Sequence, residues 1–309
     1  GLFIPDFASS EIKGIPDYRR PQRASEPLAL ALLPDNPAGL RLYPFQALDV
    51  ARMIAPGGWG QWGSCGTGKT AQALCAYEIL RRQGKVDGMI VIGPTAGRHI
   101  WCGPSGDGQR WIQDPGHCVT NGQATPSKGL IFCNFEKVFR APYHEALMLR
   151  LRTGRWVLCI DEAQMCGGLH SKRFKTVEIW SRFCTWRWLL SGTPVSNYPD
   201  SFWALYVLMT QSPVTREQWL AWFCPYGTWV KSRLKALGAA MGAYSQVRLK
   251  QDVAPQLPPI TTRVLHVRLE GRQRELYDAM IRQGQALLMD AEGDWKIHAH
   301  EFWTRLIYL

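Results

Sequence analysis

The sequence predicts an α/β fold, a parallel sheet flanked by helices with a helical C-terminal extension, and three observations carry that expectation. From Leu40 onward, short apolar runs alternate with segments of helical periodicity, the pattern of parallel strands joined by crossover helices. A glycine-rich turn, GSCGTGKT at Gly63–Thr70, stands between an apolar run and a helical pattern. A second apolar run, WVLCI at Trp156–Ile160, stops on two adjacent carboxylates, Asp161 and Glu162.

Residues 1–38 carry prolines at 5, 16, 21, 27, 34 and 37 with little periodicity, which reads as an irregular N-terminal arm. Residues 39–197 read as one nucleotide-binding lobe. Its strands are expected just before the glycines at 63–68, then at Met89–Ile92, Leu130–Asn134, Val157–Ile160 and Trp188–Leu190, with helices over Thr70–Arg82, His144–Arg152 and Lys172–Phe183. Residues 198–260 read as a helical insertion, because SFWALYVLM and EQWLAWF space their apolar residues near a helical period. In 261–309, TRVLHVRL alternates like a strand, and GRQRELYDAMIRQGQALLMD reads as one long amphipathic helix.

A chain of 309 residues that is 46% hydrophobic can bury a large core. It contains no run of eighteen apolar residues and no secretory signal pattern, so an intracellular protein without a membrane partner is expected: cytoplasmic if bacterial or viral, nuclear if eukaryotic. Nine scattered cysteines without a C-x-x-C pair fit reduced thiols. Lysine and arginine exceed aspartate and glutamate by 36 − 25 = 11, a basic balance that favours nucleic acid as partner. Most of the fourteen tryptophans are expected in cores.

The turn at 63–70 fits G-x-x-x-x-G-K-[ST] in its required strand-to-helix setting. Glycines let successive N–H groups point at phosphate oxygens, and the following helix adds its positive end. Gly66, Thr67 and Gly68 would form the cradle, Lys69 would hold the β- and γ-phosphates of ATP, and the Thr70 hydroxyl would bind Mg²⁺. The metal needs an acid from a neighbouring strand end, which Asp161 supplies, while Glu162 beside it can act as general base on the attacking water.

DEAQ at 161–164 resembles the D-E-x-H/Q box of superfamily two helicases and translocases, and further boxes follow in that family's order. The resemblance covers residues 40–309 and implies a RecA-like P-loop NTPase lobe. LRLYPFQ is similar to the box whose glutamine reads adenine, here Gln46. VIGPTAGRHIW looks like the box that touches the nucleic-acid backbone, through Thr95 and Arg98, and LIFCNFEKV, with Asn134, stands where the next strand box belongs. LLSGTPVSN is similar to the box that couples nucleotide state to the bound strand, which assigns coupling to Ser191, Gly192 and Thr193 together with Gln164.

Within the superfamily, SGTPVSNYPDSFWALYVLM and VRLKQDVAPQLPP resemble blocks of the Swi/Snf-type DNA translocases. The resemblance implies sequence-independent backbone contacts with duplex or branched DNA and a second motor lobe; this chain is expected to be the first lobe of a longer protein. The phosphate loop lacks the group's usual acidic spelling, and Gln164 stands where histidine is common, but no phosphate or metal ligand is lost. Two other readings are a viral DNA-packaging type ATPase, which would not be expected to carry the LKQDVAPQLPP block, and a non-hydrolysing, nucleotide-gated DNA-binding scaffold.

Overall fold

The computed structural model describes residues 39–119, 124–167, 172–194, 199–225, 233–254, 256, 258, 261–283, 286–290 and 293–297. The arm expected at 1–38 lies outside the described residues. Two compact units divide between Leu257 and Pro258. No helix among the described residues is long and apolar enough to cross a membrane.

The first unit is built on seven strands: β1 (Gly57–Gly63), β2 (Gly88–Gly93), β3 (His117–Cys118), β4 (Gly129–Asn134), β5 (Trp156–Asp161), β6 (Trp186–Ser191) and β7 (Ser245–Arg248). Their spatial order is β3-β4-β2-β5-β6-β1-β7, with every pairing parallel. Parallel neighbours need long crossovers. Helix α1 (Pro44–Met53) precedes β1; α2 (Lys69–Arg82), α3 (Asp107–Ile112), α4 (Ala141–Thr153) and α5 (Lys172–Ser181) fall between the strands that follow. Helices α6 (Pro199–Thr210), α7 (Arg216–Phe223) and α8 (Leu234–Gly242) lie between β6 and β7.

The expected strands and helices of this unit are present within about two or three residues, the usual uncertainty of element ends. Two features differ from expectation. The region 198–260 is not wholly helical, because β7 pairs with β1 from Gly60↔Ser245 to Gly63↔Arg248 and completes the sheet. The two-residue edge strand β3 is also new, being too short to carry a period of its own.

Both faces of the sheet are covered, so the central strands are mostly apolar; Arg187, the buried charge of β6, donates to the carbonyls of Cys184 (2.6 Å) and Met209 (3.1 Å). Val157 and Cys159 enter one buried cluster with Leu74 and Met89, while Leu158 and Ile160 enter the other with Leu189 and Leu205. Each such side chain contributes about 1.5–3 kcal/mol on burial, which makes β2, β5 and β6 the rigid centre. Tryptophans close the joints: Trp186 and Trp188 donate their indole N–H groups to the carbonyls of Ile54 (3.0 Å) and Met53 (2.9 Å) at the end of α1, satisfying acceptors that a helix end leaves open. The C-terminal turn of α6 lies directly on β1, since a Cβ at Gly58 would stand 2.0 Å from the Met209 carbonyl oxygen; only glycine permits that approach.

A buried ionic cluster fixes the sheet edge. Asp49, with no exposed surface, accepts 2.8 Å from Gln61 Nε2 of β1 and two bonds from Arg248 of β7, 3.1 Å from Nε and 2.7 Å from Nη2. Gln61 is the one polar side chain of β1 and is itself wholly buried, which requires a partner of this kind.

In the second unit, residues 261–270 have no regular secondary structure, so the strand expected at TRVLHVRL is not formed. Val264, Leu265 and Val267 are 72–80% exposed, and among the described residues no neighbouring strand pairs with the segment. Helix α9 (Gly271–Gln283) ends where the sequence has Gly284, a weak helix former, so the long helix expected over 271–290 is shortened. Within that segment Ala286–Asp290 form strand β8, antiparallel to β9 (Gly293–Ile297).

Removing the guanidinium by Arg248→Ala leaves the buried carboxylate with Gln61 and the more distant Arg52 at 3.9 Å, so we expect a loss of about 3 kcal/mol in unfolding free energy, the lower end for a broken buried pair. Adding Asp49→Asn should recover part of that loss; denaturant titration of the three proteins measures both effects.

Candidate functional site

The site grows from the carboxyl ends of adjacent parallel strands, where open α/β sheets place their ligands. Asp161 of β5 is level with Leu190 of β6, and Leu190 is level with Gln61 of β1. The glycine-rich turn therefore leaves β1 at the same edge where β5 delivers its acids and β6 delivers Ser191.

The turn runs from Gly63 to Gly68 into α2. Gly68 has φ +81° and no room for a side chain, since a Cβ there would stand 2.2 Å from Gln46 Nε2. Gln46 is held at both ends: its Oε1 accepts from Tyr43 N (2.8 Å), capping α1, and its Nε2 donates to Thr67 O (2.9 Å). Gln72 Nε2 donates to the same carbonyl at 3.3 Å. The Thr67 hydroxyl donates to Ser64 O at 2.8 Å, and Lys69 Nζ donates to Gly63 O at 2.7 Å and Ser64 O at 3.4 Å. Thr70 is the second residue of α2, in the positive first turn of that helix.

Asp161 is held by a residue that sequence reasoning missed. Trp101 donates its indole N–H to Oδ2 (2.8 Å), and Glu162 N donates to Oδ1 (3.1 Å). Burial raises the carboxyl above the usual range against the opposing Trp101 bond; the neighbouring Glu162 raises it further, and Lys69 pulls it down. Glu162 adopts φ +51°, a left-handed conformation rare outside glycine.

A hydrogen-bond chain joins the acid box to the S-G-T loop. Gln164 Nε2 donates to Glu162 Oε2 (2.7 Å), Ser191 Oγ donates to Gln164 Oε1 (2.6 Å), and Thr193 N donates to Ser191 Oγ (3.0 Å). A Cβ at Gly192 would lie 3.5 Å from Cys65 Sγ and 3.6 Å from Gly63 O, so this loop touches the glycine-rich turn. The structure thus brings Lys69, Asp161, Glu162, Gln164, Ser191, Gly192 and Thr193 together.

The residues expected to face nucleic acid divide. Asn134 Nδ2 donates to Thr95 Oγ1 (2.9 Å), and Thr95 Oγ1 donates to Glu136 Oε2 (3.4 Å), so the exposed Thr95 and the half-buried Asn134 form one hydrogen-bonded group. Arg98 instead hydrogen-bonds the Cys118 thiol, which is held below its usual range first by the Cys102 hydrogen bond and then by the Arg98 charge.

The residues fit a hard divalent cation. Each Asp161 oxygen has one donor and keeps a lone pair, and the Thr70 hydroxyl adds another oxygen. These are the kind of oxygens from which Mg²⁺ takes one or two protein ligands, the rest being phosphates and water. Trp101 and the cluster of Asp49, Gln61 and Arg248 carried no spacing signal, but a lone glutamine inside an apolar strand was a sign that a polar partner waited nearby.

The model of the SNF2-related domain matches residues 64–306. The chromatin-remodeling ATPase INO80 of Arabidopsis thaliana is 30% identical over 139 residues, covering 42% of this chain and 9% of that protein. The protein of the same name from Cryptococcus neoformans var. neoformans serotype D (strain B-3501A) is 26% identical over 247 residues, covering 70% and 13%. CHROMATIN REMODELING 19 of Arabidopsis thaliana is 24% identical over 242 residues, covering 72% and 31%. The chain thus spans less than a third of these relatives' length. Among solved structures, the Sulfolobus solfataricus SWI2/SNF2 ATPase core in complex with dsDNA matches with a TM-score of 0.62 at 19% identity, over 74% of this chain and 49% of that one.

Because the folded chain holds the Asp161 carboxyl above its unfolded value of 3.8, ionising it costs stability. That cost is absent below pH 3.8 and grows as pH rises through the raised folded value. Asp161→Asn should therefore raise the melting temperature of the ligand-free protein at pH 7, by roughly 2–4 °C per kcal/mol recovered, with the gain fading in acid. A pH series of thermal melts on both proteins measures it.

Proposed function

Because the chain belongs to the family of SNF2-related domains, we propose that it is the nucleotide-binding lobe of an ATP-dependent DNA motor of Swi/Snf type, working against a second motor lobe. The observation that carries this reading is the continuous path from Glu162 through Gln164 to Ser191 and Thr193. It ties a carboxylate placed to activate water to a loop that also touches the phosphate turn.

In this mechanism Gly66, Thr67 and Gly68 cradle the phosphates, and Lys69 exchanges its bonds to the Gly63 and Ser64 carbonyls for bonds to the β- and γ-phosphates. Thr70 and Asp161 would hold Mg²⁺, which neutralises phosphate charge when bound. Glu162 takes the proton from the attacking water, and Gln164 fixes the carboxylate so that one oxygen remains free for that task. Gln46 keeps one amide hydrogen and one carbonyl lone pair beyond its cap, enough to pair with an adenine edge. A change at Glu162 as the terminal phosphate leaves would reach Ser191 through Gln164, and that is how hydrolysis would move the coupling loop.

DNA is bound through backbone contacts at the strand ends that carry Thr95 and Asn134, aided by the basic balance of the chain and without base reading. The unit that ends at Leu257, whose sheet β7 completes, is the motor lobe in this reading. The family match favours this reading over a packaging-type ATPase, and the carboxylate relay favours hydrolysis over a passive scaffold.

In the full-length protein, Glu162→Gln should keep nucleotide affinity while lowering duplex-stimulated turnover by about 10²–10⁴, and Lys69→Ala should lose both; steady-state rates and nucleotide titrations separate the two. Duplex affinity should fall with added salt by roughly 0.9 log units per neutralised phosphate for each log unit of salt. A flat salt profile would remove the backbone-contact reading.

A further inference from the structure

The block VRLKQDV leaves the sheet edge and runs against the phosphate turn. Strand β7 is in register with β1 up to Gly63↔Arg248, and two further bonds continue the contact. Ser64 N donates to Arg248 O (3.0 Å), and Lys250 N donates to Ser64 Oγ (3.2 Å). A Cβ at Gly66 would stand 3.6 Å from Lys250 Nζ and 4.0 Å from its Cε. The ammonium of Lys250 therefore lies over the middle of the loop, while its backbone is tied to the loop's first turn.

Lys250 is exposed, and among the described residues no carboxylate pairs with it. Two cations, Lys69 and Lys250, thus converge on one turn that has no anion of its own. A lysine stem has four methylenes, so the head can move several ångströms while the backbone stays fixed.

Resting on the nucleotide reading above, we propose that Lys250 is a second phosphate-binding cation, which contacts the terminal phosphate of a nucleoside triphosphate and makes the site discriminate triphosphate from diphosphate. The end of the loop that it serves follows from Lys69. That ammonium rests on the Gly63 and Ser64 carbonyls, and a P-loop lysine serves the β- and γ-phosphates. The Gly63–Ser64 rim is therefore the terminal-phosphate side, and it is Ser64 that anchors Lys250. The inner phosphates lie toward Gly68 and the start of α2, beyond the anchored segment.

The test is equilibrium titration of the full chain with a fluorescent ADP and a fluorescent non-hydrolysable triphosphate analogue, in Mg²⁺ at fixed ionic strength. Lys250→Ala should weaken the triphosphate analogue by about tenfold, the value of one charge-assisted bond, and shift the diphosphate by less than about twofold, while Lys250→Arg should restore most of the loss. Unchanged affinity for both ligands, or an equal loss for both, overturns the proposal. Lys69→Ala serves as the control, expected to lose both ligands. If the folded wild-type protein binds neither ligand, the nucleotide reading itself fails and takes this one with it.

Discussion

The buried carboxylate of Asp49 is the constraint on which the phosphate turn depends. It sits one helical turn after Gln46 on α1, so the charge that binds β1 through Gln61 and β7 through Arg248 also fixes the glutamine that grips Thr67 O. An ion without its partners in this position costs several kcal/mol, so α1, β1 and β7 assemble together or not at all. The turn between β1 and α2 is consequently held on one flank by Gln46 and on the other by the backbone following Arg248. Phe45, over which the Arg248 guanidinium lies at 5.8 Å, adds to the same joint.

On the opposite flank the constraint is sheet register rather than charge. Parallel pairing sets Asp161, Leu190 and Gln61 in one row; β5 and β6 deliver Glu162 and Ser191 on the next residue, while β1 leads into the glycine-rich turn that ends at Lys69. Gln164 closes the gap between two of these exits. An amide donates and accepts at once and does not titrate, whereas a histidine at this position would change its donor pattern near neutral pH. Gln164 therefore bridges Glu162 and Ser191 without a protonation switch of its own.

The parallel sheet was legible because its strands are buried on both faces, and an uninterrupted run such as VLCI needs no periodicity to be read. The P-loop and the acid pair were legible because their chemistry demands fixed residue types at fixed spacing. What escaped was set by tertiary pairing. SQVR at 245–248 is too short and polar to read as a strand, and it becomes one because Asp49 captures Arg248. TRVLHVRL has the alternation of a strand, but among the described residues no partner pairs with it, and alternation alone does not satisfy backbone N–H groups. In QALLMD the apolar run fits helix and strand alike, and the glycine before it together with pairing to GDWKI decides for the strand. Trp101 was invisible as a site residue because an indole donating to a carboxylate leaves no mark in spacing.

Two costs fall at the same place, and they are related. Asp161 is ionised only against burial, and Glu162 holds a left-handed backbone that costs about 1–3 kcal/mol. Neither helps the fold. Both place carboxylate oxygens at the mouth of a turn that presents two lysines; Lys69 already offsets part of the Asp161 charge, and a metal held with phosphate would offset more. A ligand that binds the folded chain alone stabilises it in proportion to the logarithm of its concentration over Kd. The cost of ionising Asp161 is therefore offset on binding, and the buried strands β2, β5 and β6 are what allow the chain to carry it until then.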